Sequence, residues 1–209
     1  MKDSAVMPDL RSELLADVRA PLEFALITPP GWARFGVDEA AEKQLAGNME
    51  QVFRDRGQPK QLFHQRAQLH KLFNELRRRN AVAVYLPVKP VNDVVLPVSI
   101  AILPAPVRDS AGVDRFAQRL ASRGAVSSGL HNGLQILRWE ERNAVPGENG
   151  AHSLAINHLF EAPTGSGRSA ALVTASLLYI DGSEGEEFTE SLEILLEAIV
   201  GTFTWRITS

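Results

Sequence analysis

Histidines are the first residues to test for chemistry, because imidazole serves both as a general acid–base group and as a metal ligand. The sequence contains five of them, namely His64, His70, His131, His152 and His158. His64 and His70 fall in one predicted helix, where a spacing of six residues places them ~120° apart around the axis. His152 and His158 fall in one predicted strand, where the same spacing separates them by ~20 Å. Neither pair can chelate one ion, so no metal site is predicted.

His158 shares a predicted strand with three apolar residues at alternate positions. Leu154, Ile156 and Phe160 lie on the same side of that strand, so His158 is predicted to face the core. A buried histidine held by hydrogen bonds, without a catalytic role, is the simplest interpretation. A functional histidine needs partners, and the sequence does not identify them.

A second interpretation places a small-molecule or hydrolytic site beside the sheet. Its candidate residues are His158, Thr174 and Ser176, and Glu140 is a further candidate. A hydroxyl and a carboxylate within hydrogen-bond distance of the imidazole, in a deep pocket, would favour this hypothesis. If Leu and Phe side chains enclose His158 instead, the hypothesis fails.

Two glycine-rich segments, residues 164–168 and 129–133, are predicted to be turns. A phosphate-binding loop requires a strand before it and a helix after it, whereas strand patterns lie on both sides of residues 164–168. The chain also contains no Gly-x-Ser-x-Gly motif of the kind that carries a hydrolase nucleophile. No catalytic residue is therefore predicted from these segments.

Five residues are candidates for contact with a protein partner: Trp32, Arg34, Arg77, Arg78 and Arg79. An aromatic residue close to an arginine, directly after the first strand, is typical of an interface hot spot. The alternative is that Trp32 folds back against one end of the sheet. The three consecutive arginines end a predicted helix, where cations complement the helix dipole. They form either a solvated helix end or a docking site for an acidic partner.

The composition limits the classes of function. A net charge of −3 argues against a main role in nucleic-acid binding, and a site formed by Arg77 and Arg78 is the least favoured hypothesis. The absence of cysteine excludes thiol catalysis and Cys-ligated metals. No cofactor is predicted. No signal peptide or membrane-spanning run is recognised, so the sequence predicts a cytoplasmic protein without membrane contact.

Apolar residues recur at helical spacing in five segments. The predicted helices cover residues 8–19, 38–56, 59–79, 112–123 and 183–200. Asp38 is a predicted N-cap, since its carboxylate can accept from the first free N–H groups of the helix.

Strand patterns cover residues 24–28, 81–87, 94–103, 133–142, 152–161, 170–180 and 203–207. Pro97 within the second long run predicts an edge position or a bulge. The last three long strands follow one another across turn-forming segments and predict an antiparallel meander. Because the helices cluster before and after the strands, the sequence predicts an α+β fold with a mostly antiparallel sheet packed between helices. Residues 1–209 are predicted to form a single domain, with residues 1–20 as an extension and 22–207 as its core.

The segment Phe24-Ala25-Leu26-Ile27-Thr28-Pro29-Pro30-Gly31-Trp32 resembles the opening of the Mog1/PsbP-like proteins. In these proteins a strand leads into a Pro-Gly-Trp turn. The order of elements over residues 22–207 is also similar to theirs. The resemblance implies an α/β/α sandwich, and it implies a non-catalytic binding partner such as a regulator, a photosystem subunit or an adaptor.

The leading hypothesis from the sequence is therefore a non-catalytic protein-binding or adaptor module whose partner the sequence does not identify, and a homodimer is one candidate assembly. This hypothesis rests on two observations. The sequence contains the patterns that a stable fold needs, and it identifies no set of residues that would act together in catalysis. The alternative is the small-molecule binder or hydrolase with the site at His158.

Overall fold

The structure is a computed structural model and describes residues 23–55, 59–90, 96–105, 107, 109–122, 124–145, 150–163, 166, 169–180 and 183–206. The predicted helix over residues 8–19 lies outside these ranges. Within them the helices are α1 (Glu39–Asp55), α2 (Pro59–Arg78), α3 (Ser110–Ala121) and α4 (Ser183–Val200). None of these helices is long and apolar enough to cross a membrane.

The strands are β1 (Phe24–Ala25), β2 (Trp32–Phe35), β3 (Ala83–Pro87), β4 (Val98–Pro104), β5 (Val126–His131), β6 (Leu134–Ala144), β7 (Ala151–Phe160), β8 (Ala171–Ile180) and β9 (Thr204–Trp205). Seven of them form an antiparallel sheet in the order β2-β3-β4-β8-β7-β6-β5. Strands β1 and β9 pair separately. The predicted meander of β6, β7 and β8 is confirmed, and so is the α+β class.

Neither edge strand of the sheet was predicted. No strand was predicted over Trp32–Phe35, but this segment pairs along its whole length with β3. Residues 129–133 were expected to be a turn, but the strand β5 runs to His131 and the turn itself consists of Asn132 and Gly133. Both turn residues have positive φ, 51° and 80°, as a two-residue hairpin turn requires.

Two further strand predictions were wrong in detail. Strand β4 is a central strand between β3 and β8, and Pro97 precedes it, so this proline marks neither an edge nor a bulge. Its carbonyl still accepts from the N–H of Leu178 over 3.0 Å, and this bond needs no N–H from the proline. Of the strand predicted over residues 24–28, only Phe24–Ala25 pairs, with β9.

Helix α4 packs against one face of the sheet, which we call the α4 face. Its inward side chains Leu192, Leu196 and Ile199 are buried in one cluster with Ile100 of β4 and Ile156 of β7. The spacing of these leucines and isoleucine over two turns forms the apolar stripe of an amphipathic helix. Among the described residues, a single helix therefore covers the α4 face.

Three helices cover the opposite face, which we call the α1–α3 face. Helices α1 and α2 bury Leu45 and Phe73 in one cluster over β2, β3 and β4. Helix α3 buries Val113 in a second cluster that includes Leu159 of β7. The partly buried Leu172 of β8 packs against both clusters. Helices thus lie on both faces, and the α/β/α arrangement is confirmed.

Candidate functional site

A cavity of about 570 Å³ opens on the α1–α3 face, between the C-terminal end of α2 and helix α3. We call it the groove. Its lining residues come from both walls and from four strands or strand ends: Arg79, Leu103, Pro104, Ala105, Phe116, Arg119, Leu120, Trp139, Glu141, Leu159 and Leu172. Most of them are apolar, and three are charged. A cavity of this size and composition is typical of a binding site.

The floor of the groove is aromatic and aliphatic. The buried Trp139 lies edge-on to Phe116, with ring centroids 5.8 Å apart. Trp139 Nε1 donates to Glu141 Oε1 over 3.0 Å, so the polar atom of the indole already has a partner. Leu159 and Leu172 extend the floor on the neighbouring strands. The floor therefore offers apolar contact area rather than a reactive group.

Helix α3 forms one wall, and its first turn is fixed to the sheet. Asp109 is its N-cap, and Asp109 Oδ1 accepts from the N–H of Gly112 over 2.7 Å. Ser110 Oγ donates to Glu161 Oε1 over 2.5 Å, and Glu161 Oε2 accepts from the N–H of Gln135 over 3.0 Å. Since one carboxylate bridges the helix and strand β6, the wall keeps its position relative to the floor.

Two arginines from different walls border the groove. Arg79 follows α2, and Arg119 lies on α3 with its guanidinium 5.6 Å from the centre of the Phe116 ring. Neither makes a salt bridge with a residue in the described ranges. Arg119 also borders a second depression of about 460 Å³, together with Arg115, Gln118 and Ser122. Two of the three charged lining residues are therefore arginines, beside the acidic Glu141, and the charge of the lining is net positive.

Asn157 lies on the α1–α3 face and carries a hydrogen-bond donor without a partner among the described residues. It lies opposite Trp139 of β6 and Thr174 of β8, and it is buried. Thr174 Oγ1 donates to Asn157 Oδ1 over 2.9 Å, whereas Asn157 Nδ2 has no partner among the residues described. A buried amide with a free N–H group is uncommon in folded proteins.

The α4 face carries a polar network. His158 is 5% exposed, and its Nε2 lies 3.0 Å from Glu197 Oε2 of α4. Arg138 holds the other Glu197 oxygen over 2.5 Å and also donates to Glu140 over 2.7 Å. The imidazole stacks near Phe160, and its Nδ1 is buried without a partner in the described chain. This network ties α4 to the sheet.

The network changes the acidity of Glu197. Burial raises the pKa of its carboxyl, but the hydrogen bonds and charges of His158 and Arg138 outweigh burial and hold the pKa at about 2. Glu197 is therefore a carboxylate at any ordinary pH, as a structural ion pair requires.

The structure separates the residues of the predicted pocket. His158 pairs with Val173 across the strands, so its side chain shares the α4 face with Val173. Thr174 and Ser176 are displaced from Val173 by odd numbers of residues and therefore point to the α1–α3 face. Glu140 is the one candidate on the same face, and it reaches the network only through Arg138. No joint site of His158, Thr174 and Ser176 exists.

The arginines at the end of α2 have three different environments. Arg77 donates to Glu42 Oε2 over 2.7 Å and to Asn74 Oδ1 over 2.6 Å, so it links α2 to α1 rather than forming a solvated end. Arg78 is 77% exposed and pairs with Glu75 of its own helix. Of the three, only Arg79 lines the groove.

Trp32 and Arg34 lie on strand β2, none of whose residues lines the groove. Trp32 belongs to the edge strand β2 and packs, partly buried, against the core of the α4 face. The guanidinium of Arg34 lies 5.3 Å from the centre of the Phe24 ring. Their partner-binding role stays a prediction, and their observed contacts are internal.

Sequence reasoning did not identify the groove residues Phe116, Arg119 and Trp139. Phe116 lies within the helix predicted over residues 112–123, but that prediction gives no sign of a cavity. The one available signal was Trp139, a large aromatic residue directly before two glutamates in a strand. The described residues also contain no group of three or more potential metal ligands.

A comparison with protein-family models gives no match, and no curated protein matches the sequence. Two solved structures are similar to the chain. A crystal structure from Bacteroides thetaiotaomicron has 12% identity and a TM-score of 0.42, covering 88% of this chain and 45% of that one. The chain therefore spans less than half the length of that protein. The solution structure of cyanobacterial PsbP (CyanoP) from Synechocystis has 12% identity and a TM-score of 0.41, covering 90% of this chain and 95% of that one.

Proposed function

We propose that this protein is a non-catalytic protein-binding module and that the groove is its docking site. The observation that carries the proposal is an apolar floor bordered by two arginines, Arg79 and Arg119, neither of which forms a salt bridge with a described residue. An apolar centre with a polar rim is the usual construction of a protein interface. Arginine and aromatic residues are also the types that contribute most to binding energy.

The placement of the histidine supports binding rather than catalysis. The His158–Glu197 pair has the residue types of an acid–base dyad, but it is enclosed between α4 and the sheet. Its second nitrogen contacts no hydroxyl or thiol in the described chain. A nucleophile and its base must lie within hydrogen-bond reach of each other and of a substrate.

The charges indicate the chemistry of the partner. Arg79, Arg119 and the nearby Arg115 attract carboxylates, whereas Trp139 and Phe116 favour an apolar side chain. The occupant is therefore a segment of another protein in which one large apolar residue is flanked by Asp or Glu. The Arg77–Arg79 run contributes through Arg79, since Arg77 is engaged inside the chain.

A display selection of random peptides against the purified protein tests this proposal. The enriched peptides should carry an apolar residue next to acidic ones, and their affinity should be measured by fluorescence anisotropy. The double variant Arg79→Glu with Arg119→Glu should weaken binding by roughly tenfold or more, because it reverses two charges at the interface. Arg78→Glu is the matched control, since Arg78 adjoins Arg79 but does not line the groove.

The proposal fails if no peptide is enriched, or if the double variant and the Arg78→Glu control bind equally well. A second candidate, a small amphiphilic anion, is favoured by the volume of the cavity, which lies within the range of small-molecule sites. Displacement of the selected peptide by a medium-chain fatty acid would support that candidate. The cytoplasmic location and the exclusion of nucleic acid stay predictions.

A further inference from the structure

The two edges of the seven-stranded sheet differ in how well they are protected. Edge strand β2 has four residues, follows two prolines and carries the charged Arg34. Edge strand β5 has six residues, Val-Ser-Ser-Gly-Leu-His, with neither a proline nor a Lys, Arg, Asp or Glu. Natural sheets protect their edges with charge, proline or shortness, and β5 has none of these devices.

The backbone of the neighbouring strand shows which groups of β5 have no strand partner among the described residues. Gln135 of β6 directs both its N–H and its C=O to Glu161, away from β5. Because backbone groups alternate in direction along an antiparallel strand, Leu134, Ile136 and Arg138 point to β5. They pair there with His131, Gly129 and Ser127. The N–H and C=O groups of the alternate residues of β5 therefore point outward, and these residues are Val126, Ser128 and Leu130.

These outward groups are complementary to those of a second copy. When two β5 strands run antiparallel with Ser128 on the twofold axis, Ser128 faces its own copy and Leu130 faces Val126. All three pairs are then hydrogen-bonded pairs, and their side chains share one face. Leu130 is 75% exposed in the single chain, and this pairing would cover it. On the other face Ser127 meets Gly129, so no large side chains collide.

Two charged residues close to this edge already have partners. Arg138, opposite Ser127, is held by Glu140 and Glu197. Asp114 of α3 accepts a hydrogen bond from Gln135 over 3.5 Å. A copy that approaches along β5 therefore meets no unpaired like charge from the strand itself.

We propose that two copies of this chain associate through their β5 strands, with Ser128 on the twofold axis, and join their sheets into one. The inference is independent of the groove, because β5 does not line it. An isologous contact of this kind uses the same strand twice and closes after two copies.

Sedimentation equilibrium over a wide concentration range tests the association. The wild type should form a dimer, and Ser128→Pro and Leu130→Lys should each raise its dissociation constant by roughly tenfold or more. Both variants should keep the wild-type circular dichroism and unfolding midpoint, because neither the N–H of Ser128 nor the Leu130 side chain is needed within one chain. Ile194→Lys is the matched control, since Ile194 is a similarly exposed apolar residue, on α4.

Amide hydrogen exchange supplies a signature specific to this register. The amides of Val126, Ser128 and Leu130 should exchange fast in dilute protein and slowly in concentrated protein. Those of Ser127, Gly129 and His131 should be protected at both concentrations. A monomer at every concentration overturns the proposal, and so does a dimer that the β5 variants leave intact or that Ile194→Lys disrupts. The double variant Arg79→Glu with Arg119→Glu should leave the dimer unchanged. The dimer proposal and the groove proposal can therefore be refuted independently of each other.

Discussion

The two faces of the seven-stranded sheet are covered in different ways. On the α4 face one helix lies against the strands, and buried residues of β3, β4, β7 and β8 join those of α4 in a single cluster. On the α1–α3 face three helices form two clusters with the groove between them. The charged residues beside the groove also differ from those of the α4 face. On the α4 face His158, Arg138 and Glu197 bind one another, whereas Arg79 and Arg119 form no salt bridge with a described residue.

This difference separates stability from recognition. A charged group enclosed beneath a helix destabilises the fold unless it has a partner, and on the α4 face the Glu197 carboxylate has two, Arg138 and His158. A basic rim around an apolar cavity contributes little to the fold and remains available to a ligand. The proposed docking site predicts that substitutions at the groove change mainly binding, whereas substitutions in the α4 network change mainly stability.

The largest expected effect comes from Phe203, at the end of the α4 face. Its ring is fully buried and stacks on Phe160 with centroids 4.3 Å apart, and also on Phe24 at 5.8 Å. Phe203→Ala should lower the free energy of unfolding by about 3–5 kcal/mol, since it leaves a large cavity. Leu120→Ala in the groove should cost about 1 kcal/mol, because Leu120 is only partly buried. Urea unfolding measures both, and equal losses would contradict the proposed division.

The next effect concerns the ion pairs of the α4 face. Glu197→Ala leaves His158 and Arg138 without their shared carboxylate and should cost about 2 kcal/mol in urea unfolding. Glu193→Ala is the matched control one helical turn earlier. The Glu193 carboxylate lies 3.5 Å from Arg142 and has no other salt bridge with a described residue, so this change should stay within about 0.5 kcal/mol. If both variants lose the same stability, the network does not hold α4 in place.

The smallest expected effect is a dependence on pH. The pKa of Glu197 is about 2 in the folded chain, below the ordinary value of 4.5. A lowered pKa stabilises the fold above pH 4.5, and this contribution is lost as the pH falls from 4.5 through 2. Unfolding measured over this range should show a steeper acid loss for the wild type than for Glu197→Gln.

Glu75 of α2 provides the control for this pH dependence. The hydrogen bond from Arg78 lowers its pKa as well, but the pair is exposed. The effect of Glu75→Gln should therefore disappear in added salt, whereas that of Glu197→Gln should persist. Equal sensitivity to salt would show that the Glu197 network is solvated.

Elements with a strong local pattern could be predicted from the sequence. Apolar residues at helical spacing defined α1, α2 and α4 to within about two residues. Asp38 was correctly predicted as an N-cap, and its carboxylate accepts from the N–H of Ala41 over 2.7 Å. Strands β6, β7 and β8 were found because turn-forming residues separate them.

The two edge strands could not be predicted, because pairing partners rather than local preference make them strands. Strand β5 consists largely of Ser, Gly and His, which have little preference for extended structure. It becomes a strand because β6 continues directly from it through the tight turn at Asn132-Gly133. Trp32–Phe35 likewise depends on β3, which follows some fifty residues later in the sequence.

The site residues could not be predicted from the sequence for a related reason. The alternation around His158 was read correctly within one strand, but the relative register of β7 and β8 decides which residues of β8 share its face. That register places Val173, and not Thr174, beside His158. The groove in turn combines an arginine after α2 with residues of α3, β6, β7 and β8. No local pattern joins positions so distant in sequence.

The two-residue turn at Asn132-Gly133 also decides which residues of β5 expose their backbone N–H and C=O groups at the edge of the sheet. Because it fixes His131 opposite Leu134, it decides that the even-numbered residues of β5 direct their amides to solvent. One amino acid inserted into this turn would shift β5 by one position against β6. The residues of β5 that bond to β6 and the residues that point outward would then exchange roles. The exposed backbone would then belong to Ser127, Gly129 and His131, and Leu130 would turn toward the opposite side of the sheet.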